Sequence, residues 1–296
     1  MGDGPTIEAL RTALRDLGVP TGATVEPAPG ASGSAWIVRV GDDRFVLRHS
    51  RSAATTASRV AAMAAARSVG LPVPDVIART GLGDGDLVLL SWLPGTTLLD
   101  ALLARPADAV VWGRAMGAAQ RALHDIEAPP GLLDVHTFCP VDLGELADAL
   151  PSGNRLLHLD WHPLNLLVDP EVAVDPVEGI SPPSVRGIID WDNARSGHPA
   201  FDLARTHAIL VADPAVDGLP AAVRERLPDF LEGWRDGYGP EARRIPPACS
   251  AWAGRVMTAD RGHRATAEEL AALRRWTEAR ETEAREVRPA IPDPEP

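Results

Sequence analysis

The sequence predicts an α+β protein of two lobes, a small N-terminal antiparallel sheet lobe with one crossing helix and a larger, mainly helical C-terminal lobe. Short β-prone runs separated by Gly/Asp turns precede Pro94-Gly95, helical periodicity follows it, and this dipeptide itself interrupts the pattern. We therefore expect an N-terminal lobe over residues 1–93, a C-terminal lobe over residues 94–288 and a flexible, proline-rich tail over residues 289–296.

The elements of the N-terminal lobe follow from periodicity and turn residues. A helical repeat of apolar residues predicts a first helix over residues 5–18. Two β-prone runs around Gly41-Asp42-Asp43 predict a hairpin over residues 36–48. An alanine-rich segment predicts the crossing helix over residues 53–69. Two further strands are predicted at residues 76–78 and 87–92.

Helical periodicity dominates the C-terminal lobe. It predicts longer helices at residues 107–124, 200–212, 219–236 and 266–286. Four prolines within residues 169–186 predict an extended loop, and the apolar runs on either side of this loop predict two strands.

The charge of the chain limits the class of partner. The 296 residues carry a net charge of −12, and the pI is near 5.1. This acidity argues against nucleic acid and anionic membranes, which call for basic patches. The sequence also lacks a run of about 18 apolar residues that could span a bilayer. We therefore expect neither nucleic acid nor a membrane as partner. The expected assembly, which the charge does not decide, is a monomer or homodimer.

Two cysteines, Cys139 and Cys249, lack the spacing of a metal motif and predict reduced thiols. The first residues contain neither the basic nor the apolar segment of a signal peptide. Both observations favour a cytoplasmic protein.

The most informative segment is residues 158–165, HLDWHPLN, which has the pattern H-x-D-x-x-x-x-N and precedes an apolar run. A second apolar run ends at Asp190, 25 residues after Asn165. Phosphoryl transfer needs one carboxylate near the attacking hydroxyl, and oxygen ligands that hold magnesium against the nucleotide phosphates. Asp160 fits the first role, and Asn165 with Asp190 fits the second.

Taken in order, these motifs resemble the aminoglycoside phosphotransferase and choline kinase-like family, which has the two-lobed protein kinase-like fold. The resemblance covers roughly residues 22–240. Its strongest segments are residues 158–169 and 188–192, with residues 197–204 behind them. Its weaker segments are the Gly/Ser turn at residues 30–34, the strand at residues 45–48 and the connector at residues 91–95.

The resemblance implies an ATP- and magnesium-dependent phosphotransferase that moves the γ-phosphoryl group to a hydroxyl of a small molecule, with GTP as an open alternative donor. It implies that Asp160 is the catalytic base and that Asn165 and Asp190 bind Mg²⁺. The residues implied to support the site are His158, Asp192 and Asp202. The residues implied to contact the nucleotide are Gly30, Ser32, Gly33, Ser34, Arg48, Ser91 and Leu93.

The basic residues depart from the kinase-like pattern, because all 29 are arginine. Kinase-like enzymes pair a lysine on the third strand with a glutamate on the following helix. Here Arg48 takes the strand position, Arg59 lies about where the glutamate is expected, and no Asp or Glu occurs from Arg48 to Val73. Either Arg48 does the lysine's work, positioned by packing or by Asp190, or the chain is a degenerate nucleotide-binding protein without catalysis. The complete set of Asp160, Asn165 and Asp190 favours the first alternative.

The sequence leaves the acceptor open. Acidic side chains in the second half could meet a polyamine, and aromatic side chains could meet a quaternary ammonium group. The acidic candidates are Asp192, Asp229, Glu232 and Asp236, and the aromatic candidates are Trp161, Trp191, Trp234 and Tyr238. Macrolides, sugars and amino alcohols are further alternatives, and transfer of a nucleotidyl group is a third hypothesis for the reaction.

Overall fold

In the computed structural model, an antiparallel sheet precedes a mostly helical region, as the sequence predicts. The structure describes residues 5–28, 34–83, 85–139, 141–169, 185–262 and 265–287. The elements are α1 (Ile7–Asp16), β1 (Thr24–Pro27), β2 (Ala35–Val40), β3 (Asp43–Ser50), α2 (Ala53–Ser68), β4 (Val76–Leu82), β5 (Gly85–Ser91), β6 (Thr96–Thr97), α3 (Leu98–Ala104), α4 (Ala109–His124), β7 (Arg155–Leu157), β8 (Leu166–Val168), β9 (Val185–Ile188), β10 (Arg195–Gly197), α5 (Pro199–Ala212), α6 (Ala221–Arg224), α7 (Leu227–Tyr238), α8 (Pro247–Arg261) and α9 (Ala267–Val287).

The N-terminal sheet has the strand order β1-β2-β3-β5-β4, and each neighbouring pair is antiparallel. Both faces of β5 are buried. Leu87 and Leu89 belong to the core cluster that includes α1, whereas Val88 and Leu90 belong to the cluster that includes α2. Successive side chains of a strand point to opposite faces, so burial on both sides explains why β5 is a continuous apolar run.

The helix α1 covers one face of this sheet. Its N-cap is Thr6, whose side chain accepts a hydrogen bond from the backbone N–H of Ala9. Leu10 and Leu14 pack into the cluster that contains Leu47 of β3, and burial of each such side chain contributes about 1.5–3 kcal/mol. Because Leu47 faces α1, its neighbour Arg48 points from the opposite face.

The helices α4 and α7 make direct backbone contact. A Cβ atom at Gly113 would lie 2.1 Å from the carbonyl oxygen of Phe230, and one at Gly233 would lie 2.1 Å from the carbonyl oxygen of Val110. No side chain fits in either place, so glycine allows the close approach. Side chains of this helix pair share one core cluster with residues of α5 and α6, such as Leu203 and Val223.

The connector between sheet and helices passes close to β8. Gly95 has a φ of +133°, and a Cβ atom there would lie 2.9 Å from the carbonyl oxygen of Val168. The strands β6, β8 and β9 form a small antiparallel sheet. In it Leu166 pairs with Ile188, which brings the chain after Asn165 next to the chain before Asp190.

Local periodicity predicts one element wrongly and misses others. The single helix predicted at residues 219–236 is two helices, α6 and α7. Pro228 lies in the first turn of α7, where a missing N–H is tolerated, but it cannot continue a helix from before it. The helix α8 is missed because its buried face consists largely of small residues such as Ala251 and Ala253, which carry little periodic signal.

One core cluster contains side chains from both sides of the expected lobe boundary, for example Val88 and Leu98. The boundary at residues 93–94 stays a prediction. The expected tail at residues 289–296 and most of the loop expected at residues 169–186 lie outside the described residues. Across the part of the chain that the structure describes, no helix combines the length and apolarity needed to cross a bilayer.

Replacing Gly113 by alanine is expected to lower the free energy of unfolding by about 1–3 kcal/mol, because the added methyl group must push apart two packed backbones. Urea denaturation measures the change. The control is Gly22→Ala, since nothing lies within 4 Å of a Cβ atom at Gly22, and a change within about 0.5 kcal/mol is expected. Equal stabilities of the two variants would show that α4 and α7 are not in backbone contact.

Candidate active site

A cavity of about 1940 Å³ is lined by the sheet, the connector and the helical region. The predicted site residues that line it are Ser34, Arg48, Ser91, Leu93, Asp160, Asn165, Asp190 and Asp192. His158 and Asp202 do not line it; both are fully buried and lie behind the wall that carries Asp160. The predicted nucleotide contacts Gly30, Ser32 and Gly33 lie outside the described residues.

The loop that carries Asp160 is held by the buried carboxylate of Asp202 on α5. One oxygen of Asp202 accepts the backbone N–H of His158 (2.8 Å), and the other accepts the backbone N–H of Leu159 (3.0 Å). Leu159 has a φ of 59°, a conformation that costs on the order of 1–3 kcal/mol for a residue with a side chain. The two hydrogen bonds offset this strain and set the direction in which the chain continues to Asp160.

Asp202 is itself supported by His124, which sequence reasoning did not assign to the site, and through it by Tyr238, which was considered only as an aromatic candidate for the acceptor pocket. Nε2 of His124 donates to Asp202 (3.0 Å), and Nδ1 of His124 is hydrogen-bonded to the hydroxyl of Tyr238 (2.8 Å). Burial would raise the pKa of Asp202, but the hydrogen bond and charge of His124 outweigh burial and lower it. His124 and Tyr238 are 114 residues apart, so no local spacing could have indicated their contact.

Asp160 and Asn165 are in direct contact. The amide nitrogen of Asn165 donates to the backbone carbonyl (2.9 Å) and to the carboxylate (3.0 Å) of Asp160. This orients the amide group and leaves its oxygen without a hydrogen-bond donor among the described residues. Burial would raise the pKa of Asp160, but the hydrogen bond and charge of His162 and the charge of Arg205 lower it to about 2. The Asp160 carboxyl group is therefore ionised at neutral pH.

Two short contacts join this loop to the strand end that carries Asp190. The backbone N–H of Ile189 donates to the carbonyl oxygen of Asn165 (3.0 Å), and Nε2 of His158 donates to the carbonyl oxygen of Ile189 (3.0 Å). The next residue, Asp190, has a φ of 60°, a conformation that Asp adopts more readily than most residues. Asp160, Asn165 and Asp190 consequently meet in one part of the cavity.

Arg48 lies against Asp190 and Asp192. Its Nη2 is 2.8 Å from an oxygen of Asp190 and also contacts one oxygen of Asp192. The other oxygen of Asp192 pairs with Arg59 of α2, whose side chain is only 2% exposed. The four side chains form a network of alternating charge, in the order Asp190, Arg48, Asp192, Arg59.

This network takes the place of the Lys–Glu ion pair of kinase-like enzymes, both members of which are missing from the sequence. The helix α2 carries the positive charge of Arg59 where kinase-like enzymes carry a negative one, and Asp192 supplies the carboxylate between the two arginines. Burial would lower the pKa of Arg48, but the charges of Asp190 and Asp192 raise it overall. Burial would raise the pKa of Asp192, but the charges of Arg48 and Arg59 lower it overall. Both shifts favour the charged forms.

The acidic residues considered for polyamine binding lie mostly elsewhere. Asp229, Glu232 and Asp236 on α7 are exposed in ion pairs with arginines, and none of the three lines the cavity. Only Asp192 lines it, and arginines contact both of its oxygens. A polyamine in the cavity would therefore find none of these carboxylates unpaired.

The aromatic candidates belong to the core. Trp161, Trp234 and Tyr238 are buried and do not line the cavity, and Trp191, which does, is 2% exposed. The indole N–H of Trp191 donates to the carbonyl oxygen of Ile188 (2.9 Å). These residues do not form an aromatic cage for a quaternary ammonium group.

A sheet lobe and a helical lobe surround the cavity, and the Asp160 loop faces the strand end at Asp190. This arrangement is typical of phosphotransferases with the protein kinase-like fold. The chain belongs to the phosphotransferase enzyme family, whose sequence model matches residues 24–138 and 143–252. The family, the fold and the phosphotransferase class predicted from the motifs are thereby confirmed. No curated protein matches the sequence significantly.

Solved structures show the same fold at low sequence identity. A microcompartment-associated aminopropanol kinase is 18% identical with a TM-score of 0.63, and the match covers 95% of this chain and 97% of that one. The aminoglycoside phosphotransferase APH(4)-Ia is 16% identical with a TM-score of 0.63, covering 94% and 99%. A thermostable mutant of APH(4)-Ia in a ternary complex with ADP and hygromycin B is 15% identical with a TM-score of 0.62, covering 92% and 97%.

A double-mutant cycle tests the charge network. Asp192→Asn is expected to lower the free energy of unfolding by on the order of 1–3 kcal/mol, because it leaves Arg59 buried without a carboxylate. In an Arg59→Met background the same substitution should cost at least about 1 kcal/mol less. Urea denaturation of the four proteins gives the coupling energy.

The control cycle is Arg67→Met with Asp75→Asn, an exposed ion pair that starts from the same helix. Its coupling energy should lie below about 0.5 kcal/mol, because water screens exposed charges. Equal coupling energies in the two cycles would mean that Arg59 does not depend on Asp192.

Proposed function

We propose that the protein transfers the γ-phosphoryl group of ATP, bound with Mg²⁺, to a hydroxyl group of a small molecule. The observation that carries the proposal is the meeting of Asp160, Asn165 and Asp190 in one cavity. The amide group of Asn165 touches Asp160 at 2.9–3.0 Å, and the chain next to Asp190 is bonded to Asn165 at 3.0 Å. These are the acceptor-side carboxylate and the oxygen donors that phosphoryl transfer requires.

The donor set fits magnesium held together with a nucleotide. Among the described residues, no group of three or more His, Cys, Asp or Glu side chains is arranged to hold a metal ion. Mg²⁺ commonly binds through one or two protein oxygens and the substrate phosphates, and the amide oxygen of Asn165 and the carboxylate of Asp190 would supply the protein oxygens. When bound, Mg²⁺ neutralises charge on the transferring phosphates.

In this proposal Asp160 accepts a hydrogen bond from the acceptor hydroxyl, orients it toward the phosphate and takes its proton late in transfer. A carboxylate with a pKa of about 2 is ionised throughout the neutral range, so its oxygens can accept that hydrogen bond at any pH in this range. A weak base suffices because the transition state of phosphoryl transfer is loose, and positioning contributes most of the acceleration.

Arg48 would bind the nucleotide phosphates in place of the usual lysine. A guanidinium group presents a planar fork that matches phosphate geometry. The contacts of Arg48 with Asp190 and Asp192 supply the positioning that a helix glutamate supplies in kinase-like enzymes. This arrangement supports an active enzyme over a degenerate nucleotide-binding protein. Ser34, Ser91 and Leu93 line the same cavity and would contact the remainder of the nucleotide.

Replacing Asp160 by asparagine should lower the transfer rate by about 10²–10⁴-fold, because the variant cannot take the hydroxyl proton. The assay measures ADP release from Mg-ATP with a panel of hydroxylated small molecules, and mass spectrometry identifies the product. Asp16→Asn on the exposed surface of α1 is the control and should keep full activity. Unchanged transfer by Asp160→Asn, or a nucleotidylated product, would reject the proposed reaction.

Nucleotide binding is tested separately by calorimetry. The protein should bind Mg-ATP, and Arg48→Met should bind it at least about tenfold more weakly, because charge-assisted hydrogen bonds contribute about 1.5–3 kcal/mol each. The control Arg39→Met removes an arginine of the neighbouring strand whose partner is the exposed Glu26, and should bind normally. If the wild-type protein shows no binding at millimolar nucleotide, ATP is not the donor.

A further inference from the structure

The part of the cavity wall beyond Asp160 is rich in charged side chains. Five charged residues that follow Asp192 in the chain line this part of the cavity: Arg195, Arg205, Asp213, Asp260 and Arg261. We call these five residues the acceptor wall. It adjoins Asp160 directly. Nε of Arg205 donates to the carbonyl oxygen of Leu159 (3.4 Å), and the charge of Arg205 contributes to the low pKa of Asp160.

Each carboxylate of the acceptor wall already has a cationic partner. Asp260 pairs with Arg205 (3.2 Å), and Asp213 pairs with Arg261. Asp160 itself lies 3.5 Å from Nε2 of His162. An acceptor with an ammonium group would therefore find no unpaired carboxylate on this wall.

Arg195, by contrast, is a cation of this wall that has no carboxylate partner among the described residues. Its side chain is buried, with 7% exposure, and it forms no ion pair with any described residue. The only hydrogen bond of its guanidinium group to a described residue runs from Nη1 to the carbonyl oxygen of Ala194 (2.8 Å). Nε has no partner and is itself closed to solvent, so Nη2 is the nitrogen of this group that can meet a ligand in the cavity. Burial lowers the pKa of Arg195, which reflects a charge without compensation.

The surroundings hold this guanidinium group in place. Arg195 lies in β10 opposite Leu157 of β7, just before the loop that carries Asp160. The ring of Phe138 lies 5.4 Å from the guanidinium carbon of Arg195 and 5.7 Å from that of Arg205, a separation at which cation–π attraction operates. A buried, unpaired charge is unfavourable unless an opposite charge reaches it, so the position favours an anionic ligand.

We infer that the acceptor alcohol carries a compact oxyanion, a carboxylate or a phosphate group, which binds Nη2 of Arg195 while the hydroxyl group lies at Asp160. The inference rests on the proposed function for the hydroxyl group. A guanidinium N–H group forms charge-assisted hydrogen bonds with the oxygens of carboxylate and phosphate groups alike.

The anion site is tested without nucleotide, so that it does not depend on transfer. Inorganic phosphate and acetate are titrated separately by calorimetry at constant ionic strength. The wild-type protein should bind at least one of them, and Arg195→Gln should bind it at least about tenfold more weakly. Arg155→Gln is the control, because Arg155 lies on the paired strand β7 but is exposed and outside the cavity. No binding by the wild type, or equal binding by Arg195→Gln, overturns the inference.

Folding of the variants separates a binding role from a structural one. Arg195→Gln should unfold at the same or a higher urea concentration than the wild type, because it removes an uncompensated buried charge. Arg195→Lys keeps the charge but has no fork, and should bind the anions with intermediate affinity. If Arg195→Gln does not fold, the lysine variant decides: anion affinity equal to the wild type contradicts the inference.

Turnover identifies the source of the oxyanion. Mg-ATP is supplied with glycerate and other hydroxycarboxylates, with glycerol phosphate and other phosphorylated alcohols, and with amino alcohols and aminoglycosides. Turnover of the hydroxycarboxylates or of the phosphorylated alcohols supports the inference and distinguishes a carboxylate from a phosphate group. Turnover of a cationic or neutral acceptor with the same kcat/KM in Arg195→Gln overturns it. Arg195-dependent anion binding without any turnover supports the anion site and counts against the proposed transfer.

Discussion

The arrangement of the cavity depends on one backbone hydrogen bond, from the N–H of Ile189 to the carbonyl oxygen of Asn165 (3.0 Å). This bond joins the segment that contains the left-handed Leu159 and ends at Asn165 to the segment that ends at the left-handed Asp190. On one side the side chain of Asn165 is locked onto Asp160, and on the other Asp190 follows at once. The buried carboxylate of Asp202 holds the first segment from behind. Positioning therefore comes from short hydrogen bonds to and within the main chain, of which those of Asp202 are buried, and this suits a reaction that depends on alignment.

Charge compensation explains how a lysine-free chain can place buried arginines at its cavity. Arginine stays charged at every relevant pH, so a buried arginine needs a carboxylate or a ligand. Arg59 has Asp192, and through it shares a network with Arg48 and Asp190. This network links the crossing helix to the end of β9. Arg195 has no such partner among the described residues. The contrast between the two arginines separates a charge that supports the fold from the one that we propose binds the substrate.

Sequence reasoning succeeds where a feature is local. The hairpin around Gly41 follows from its turn residues, and the spacing from Asp160 to Asn165 indicates a loop whose chemistry can be stated. It fails where partners are distant. Arg59 and Asp192 are 133 residues apart, so sequence spacing cannot show that Asp192 is the carboxylate that pairs with the arginines of β3 and α2. Nor can it show that the carboxylates of α7 face solvent. The unpaired state of Arg195 is likewise a property of the packed structure alone.

The most direct test of the account is a crystal structure with the ATP analogue AMP-PNP and Mn²⁺ in place of Mg²⁺, in which anomalous scattering locates the metal. The account predicts a metal ion at coordination distance, about 2–2.3 Å, from both the amide oxygen of Asn165 and the carboxylate of Asp190, with the γ-phosphate directed toward Asp160. A bound nucleotide whose metal ion contacts neither side chain, or whose γ-phosphate points away from Asp160, would contradict it.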